Sequence, residues 1–230
     1  MLDLQQNLEL INAQINSFCE KYHRPAGSVK LVAVGKVHPV EKIIALAGYG
    51  QQDFAENYLQ EALEKIEHCQ KSAISPLIWH FIGHIQSRKC RQIAENFDWV
   101  HTIESLKVAS KLNDHRTHPL NVLLQVNIDD EETKSGVNPE KAAELALQIN
   151  ALPNLRLRGL MAIPRPETDF DRQRATFARC RELLHSLQDQ GIQLDQLSMG
   201  MTSDMEAAIA EGATMVRIGT ALFGQRPPKS

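Results

Sequence analysis

Apolar positions along this chain switch repeatedly between the spacing of a helix and that of a strand. Leu4, Leu8, Ile11, Ile15 and Phe18 recur at helical intervals and predict a helix over about 3–22. The next stretch, LVAVGKVHP from Leu31 to Pro39, has the period of a strand. Val32, Val34 and Lys36 share one side of it, and Leu31, Ala33 and Gly35 the other. With apolar residues on both sides, a strand over 29–35 reads as buried on both faces, as in a parallel sheet. Pro39 opens a second helix running to about Ala47, and Gly48 and Gly50 close it. The same reading predicts strands at 52–55, 77–83, 98–102, 119–128, 155–163, 194–199 and 213–218. Helices at 57–69, 87–97, 104–113, 139–149, 170–187 and 204–211 lie between them, and a helical turn follows the last strand.

Strict alternation of strand and helix implies a parallel sheet. Eight such units in 230 residues predict a single (β/α)8 TIM barrel, one domain over 1–230 with a loose tail at about 226–230. A doubly wound open sheet is the main alternative, and the absence of GxGxxG after the first strand counts against it.

Charge and cysteine content remove several classes of function. The net charge is −3 with both signs mixed, and no basic stripe suggests nucleic acid. No apolar run is long enough to span a membrane, and the amphipathic N-terminus lacks the core of a signal peptide. Cys19, Cys69, Cys90 and Cys180 are far apart, which predicts free thiols in a reducing, cytoplasmic setting. His, Asp and Glu residues lack metal-ligand spacing, so no metal is expected, and GxSxG is absent.

In a TIM barrel, ligand groups gather at the carboxyl ends of the strands. The first strand delivers Lys36 there. A free lysine has a pKa of about 10.4, so roughly one amine in 2500 is neutral at pH 7. Burial or a neighbouring cation lowers that value and makes the amine able to form an imine with an aldehyde. The alternative for Lys36 is a solvated loop lysine, and Lys134, in a polar turn, is a weaker imine candidate. After the last two strands, Gly200 and Gly219 permit close approach of an anion, and Thr202 and Thr220 offer hydroxyls. Ser203 and Glu206 fit a capping box that would start a helix at Asp204, so these loops together read as a phosphate cup or as ordinary tight turns. Arg217 could pair with a carboxylate inside the barrel or meet a ligand. His80 reads first as a satisfied core histidine, and Asn57 as a cap for the following helix.

AVGKVHP, FAENYLQE, WHFIGHIQSRK, VLLQVNIDDEETKSGV, LRGLMAIP, LSMGMTSDMEAAI and VRIGTALFG follow in order across nearly the whole chain. Together they resemble the YggS/PROSC family of small pyridoxal phosphate homeostasis proteins. The resemblance implies a fold-type III barrel, similar to the N-terminal domain of alanine racemase. It implies binding of pyridoxal 5′-phosphate (PLP), a role in keeping the free cofactor in balance or supplying it to recipient enzymes, and no established enzyme activity. It makes Lys36 the Schiff-base lysine, places the phosphate at Thr202, Gly219 and Thr220, and puts Arg217 near the pyridine nitrogen. It sets Asn57, His80 and Met199 around the ring. The chain departs from the family pattern at Gly35, where serine is frequent, at Arg88, where asparagine is common, and at Thr202, where serine is usual.

The alternative to a carrier is a PLP-dependent amino-acid racemase or decarboxylase. A two-base racemase needs acid/base groups on both faces of the reacting carbon, and Lys36 supplies one. In alanine racemase the opposing tyrosine lies across a partner subunit, in an additional β-domain. This sequence stops soon after its eighth predicted strand, so that domain is expected to be absent. Tyr58, which follows a strand end, keeps the enzyme reading open. A Schiff-base aldolase acting on a sugar phosphate is the third reading.

Overall fold

A computed structural model describes residues 3–72, 74–129 and 135–225. Its strands are β1 (Lys30–Val34), β2 (Asp53–Glu56), β3 (Ile78–Phe81), β4 (Trp99–Ile103), β5 (Leu120–Val126), β6 (Leu155–Ala162), β7 (Gln196–Ser198) and β8 (Met215–Ile218). They pair in sequence order, all parallel, and β8 pairs back to β1 to close the barrel. The chain is thus a closed (β/α)8 barrel, and the open-sheet alternative is excluded. Six strands fall within their predicted spans and are shorter, because residues at the predicted ends leave the ladder, while β2 and β4 keep the predicted length and sit one residue further along the chain.

The helices are α1 (Leu4–Lys21), α2 (Val40–Gly48), α3 (Leu59–Lys71), α4 (Cys90–Asn96), α5 (Leu106–Asp114), α6 (Pro139–Asn150), α7 (Phe170–Asp189), α8 (Met205–Ala210) and α9 (Thr220–Phe223). Local chemistry starts several of them. The Asp3, Ser105, Asn138 and Asp169 side chains accept N–H groups of the first turns of α1, α5, α6 and α7. A single turn of 3₁₀-helix, Ser87–Lys89, precedes α4. The α1 helix packs outside the ring against α8 and α9. Asn7 donates to the Leu222 carbonyl, and Lys21 and Tyr22 both bond to Glu206.

Alternation along the strands sorts the core into two layers. Leu31, Ala33, Phe54 and Leu124 face outward and pack against the helices. Val32, Val34, Ala55, Trp99, Leu123, Met161 and Met215 face inward and fill the barrel. Among the described residues, no helix is long and apolar enough to cross a membrane. The predicted tail at 226–230 and Lys134 lie outside the described residues.

Candidate functional site

A cavity of about 200 Å³ opens at the carboxyl ends of the strands. Lys36, Asn57, Thr202, Arg217, Gly219 and Thr220 all line it, so six of the eight residues singled out in the sequence meet in one place. Its apolar wall includes Val34, Ile82, Met161 and Ile163. His38 also lines it, with its ring stacked on Phe223 at 5.0 Å. Sequence reasoning passed over His38 because it follows a strand end by several residues. Its neighbour Pro39 was the visible signal.

Lys36 is half-buried in a turn just past β1. The backbone of that turn is strained. Val37 has φ of 60°, a left-handed conformation that a β-branched side chain resists. Two side chains of α3 hold the turn there. Lys65 donates to the Gly35 carbonyl at 2.9 Å, and Glu61 accepts the Val37 N–H at 2.6 Å. The peptide groups on both sides of Lys36 are therefore gripped by one helix. Lys65 is buried and also pairs with Glu56 at 2.7 Å and Glu61 at 2.5 Å. Gly35 makes room for this network, since a Cβ there would stand 2.8 Å from Glu56 Oε1. The departure at residue 35 thus has a packing reason. Arg88 is exposed in the 3₁₀ turn and bonds to Gln86, away from the cavity wall.

Glu56 is fully buried, and its Oε2 has no hydrogen-bond partner. Burial pushes its carboxyl up to about 7, against the pull of Lys65, which must also serve Glu61. A carboxyl whose folded pKa is raised binds its proton more tightly in the native state. Its contribution to stability is full below the unfolded value of 4.5 and is lost as pH rises through about 7. Thermal melts should therefore show Glu56→Gln gaining on the parent protein as pH rises across that window. Parallel curves would remove Glu56 as the titrating group.

Asn57 follows β2, and α3 begins at Leu59 with Tyr58 as its cap residue and no side-chain capping bond. The predicted capping role of Asn57 is therefore corrected. Its Oδ1 is buried without a hydrogen-bond partner, in a residue of the cavity wall. Gly83 presses on this strand end so closely that a Cβ would lie 1.9 Å from the Asn57 carbonyl oxygen.

Arg217 lies buried on β8, and among the described residues no carboxylate bonds to it directly. It donates to Ser198 Oγ at 2.8 Å and to the Ala162 carbonyl at 3.0 Å. Burial lowers its pKa to about 10, with Asp204 opposing the shift. The capping box at Ser203 does not form. Asp204 turns back to accept the Met201 N–H at 2.6 Å, α8 starts at Met205, and Glu206 reaches across to α1. Gly200 is left-handed, with φ of 96°, and a Cβ there would stand 2.6 Å from that of Ala208, so packing already requires glycine at this position. A Cβ at Gly219 would meet only Val34, at ordinary contact distance.

His80 and Met199 do not line the cavity. His80 lies inside the barrel, fully buried, bonded to Asp53 and His101. Met199 packs in the outer layer, because Ser198 before it faces inward. Among the described residues no group of His, Cys, Asp and Glu could hold a metal ion, and all four cysteines are free and buried.

The closed parallel barrel is an architecture shared with the N-terminal domain of alanine racemase. The model of that domain family matches residues 6–227. The pyridoxal phosphate homeostasis protein of Pasteurella multocida is 48% identical over 230 residues, covering 98% of both chains. That of Pseudomonas aeruginosa is 50% identical over 229 residues, covering 98% of this chain and 97% of the relative. PipY of Synechococcus elongatus, solved with PLP bound, superposes with a TM-score of 0.85 at 34% identity, covering 96% of this chain and all of that one. The chain belongs to the pyridoxal phosphate homeostasis protein family, within the wider alanine racemase N-terminal domain group.

Proposed function

We propose that the cavity binds PLP as an imine on Lys36, and that this barrel domain buffers the cofactor or supplies it to recipient enzymes in the cytoplasm without turning over a substrate. The observation that carries the reading is the meeting in one cavity of an amine, a guanidinium and two hydroxyls, drawn from opposite ends of the chain. Thr202, Gly219 and Thr220 receive the phosphate. Arg217 faces the pyridine nitrogen, where a cation disfavours protonation. The open side of Gly219 leaves space for an anion. When bound, PLP supplies an aldehyde and an electron-withdrawing ring. The relatives' names and PLP-bound PipY support the same assignment.

A racemase would need a second acid/base group opposite Lys36. No tyrosine is among the described wall residues, and Tyr58 stands 58% exposed outside the wall.

The test is an absorbance spectrum of purified protein mixed with PLP, before and after borohydride, followed by peptide mass mapping. A visible band that bleaches and leaves the reduced pyridoxyl-phosphate mass on Lys36 is expected. A colourless protein that takes up no PLP would overturn the reading in favour of a sugar-phosphate aldolase.

A further inference from the structure

The inner layer of a TIM barrel is ordinarily filled by bulky apolar side chains. Here a chain of polar groups runs through it beside the apolar inner residues. Arg217 Nη1 lies 2.8 Å from Ser198 Oγ, and that oxygen lies 2.9 Å from His101 Nδ1. His101 Nε2 lies 2.8 Å from His80 Nδ1, and His80 Nε2 lies 3.0 Å from Asp53 Oδ1. Asp53 is the first residue of β2, at the opposite end of the barrel from the cavity, and it also accepts from Lys30 at 3.0 Å. The two imidazoles and the serine are fully buried. The His80 ring is further fixed by stacking on Trp99, with centroids 5.7 Å apart.

One assignment of protons satisfies every link. Arg217 donates to Ser198, the serine hydroxyl donates to His101 Nδ1, His101 Nε2–H donates to His80 Nδ1, and His80 Nε2–H donates to the Asp53 carboxylate. All donors then point the same way, from a cation at the cavity to an anion at the far end. Both imidazoles are neutral in this arrangement, and burial depresses the pKa of each, that of His101 well below the ordinary histidine value. Burying so many polar groups costs free energy that an apolar filling would not. The fully satisfied chain offsets that cost and gives the guanidinium one orientation.

We propose that Ser198, His101, His80 and Asp53 are positioning residues for Arg217, forming a one-directional hydrogen-bonded spine that holds its guanidinium toward the ligand. The proposal rests on the PLP reading above and deepens it. The spine keeps a donor, and so an unprotonated ring nitrogen, in place at the ligand. It also accounts for His80, which the cavity wall does not use.

The test has two parts. In ligand-free protein, nitrogen-15 NMR of the histidine rings should show both as neutral with the proton on Nε2. A proton on Nδ1 of either ring, or a charged imidazole at pH 7, overturns the spine whatever the cavity binds. In the second part, Ser198→Ala and His101→Phe are titrated with PLP beside the parent protein. Ser198→Ala removes one hydroxyl and serves where His101→Phe fails to fold. Each folded variant should still give the reduced adduct on Lys36, bind PLP about tenfold more weakly, as befits a lost hydrogen bond to a charged group, and show a displaced absorbance band. Variants that melt earlier yet keep the parent's spectrum and affinity would make the chain a packing device and overturn the proposal. Failure of the parent protein itself to bind PLP would instead mark the failure of the cofactor reading, and the proposed role would fall with it.

Discussion

Lys36→Ala is expected to abolish the borohydride-trapped PLP adduct while the barrel stays folded. Lys36 is the lysine of the described cavity wall, and its side chain lies beyond the strand ladder, so trimming it disturbs neither β1 nor the inner layer. Its backbone N–H and carbonyl are unchanged, and the grip of α3 on the neighbouring peptides remains. In the proposed binding mode, noncovalent contacts from Thr202, Thr220 and Arg217 persist. PLP retention should thus fall by on the order of a hundredfold, about 2.7 kcal/mol, rather than vanish. Mass mapping after reduction and a thermal melt check the two halves. A full adduct in the mutant would move the chemistry to another lysine, with Lys134 the first to examine.

Lys65→Met should be the most damaging substitution outside the cavity. It removes the partner of the fully buried Glu56, the bond to the Gly35 carbonyl and the pair with Glu61. Removing one partner of a buried ion pair costs about 3–5 kcal/mol, because the other charge is left in a medium that does not solvate it. For a chain of this size that corresponds to a fall in melting temperature of roughly 10 °C. Adding Glu56→Gln should recover part of the loss, since it removes the stranded carboxylate. Simple additivity of the two losses in the double mutant would show that the pair does not act as a unit. Adduct formation on Lys36 should slow as well, because Lys65 and Glu61 together fix the turn that carries it.

The barrel was legible because its signals are local. Strand and helix periods alternate without interruption, and strand ends put Lys36, Arg217 and Gly219 at one rim. Parity along β1 separated Val32 and Val34 from Leu31 and Ala33, and the structure puts the first pair inside the barrel and the second outside. What stayed hidden depends on partners far apart in sequence. His80 meets His101 and Asp53 only through the lateral register of β2, β3 and β4. Met199 was set near the ring by the resemblance alone; it directly follows the inward-facing Ser198 of β7, so its own side chain packs in the outer layer. The S-x-x-E pattern at Ser203 misled because Glu206 finds stronger partners on α1, and Asp204 a nearer one at Met201. Nothing local in the sequence marks Glu56 and Lys65 as buried. Their burial follows from the missing side chain at Gly35.

The left-handed Val37 makes the mounting of Lys36 a stiff one. A β-branched residue in that conformation stores about 1–3 kcal/mol, held in place by bonds from a single helix. Were α3 to shift outward, that energy would be returned first by rotation of the peptide between Lys36 and Val37. The turn that carries the lysine is thus coupled to the seating of one helix, and a displacement of α3 too small to open the sheet would release two of the bonds that fix its backbone.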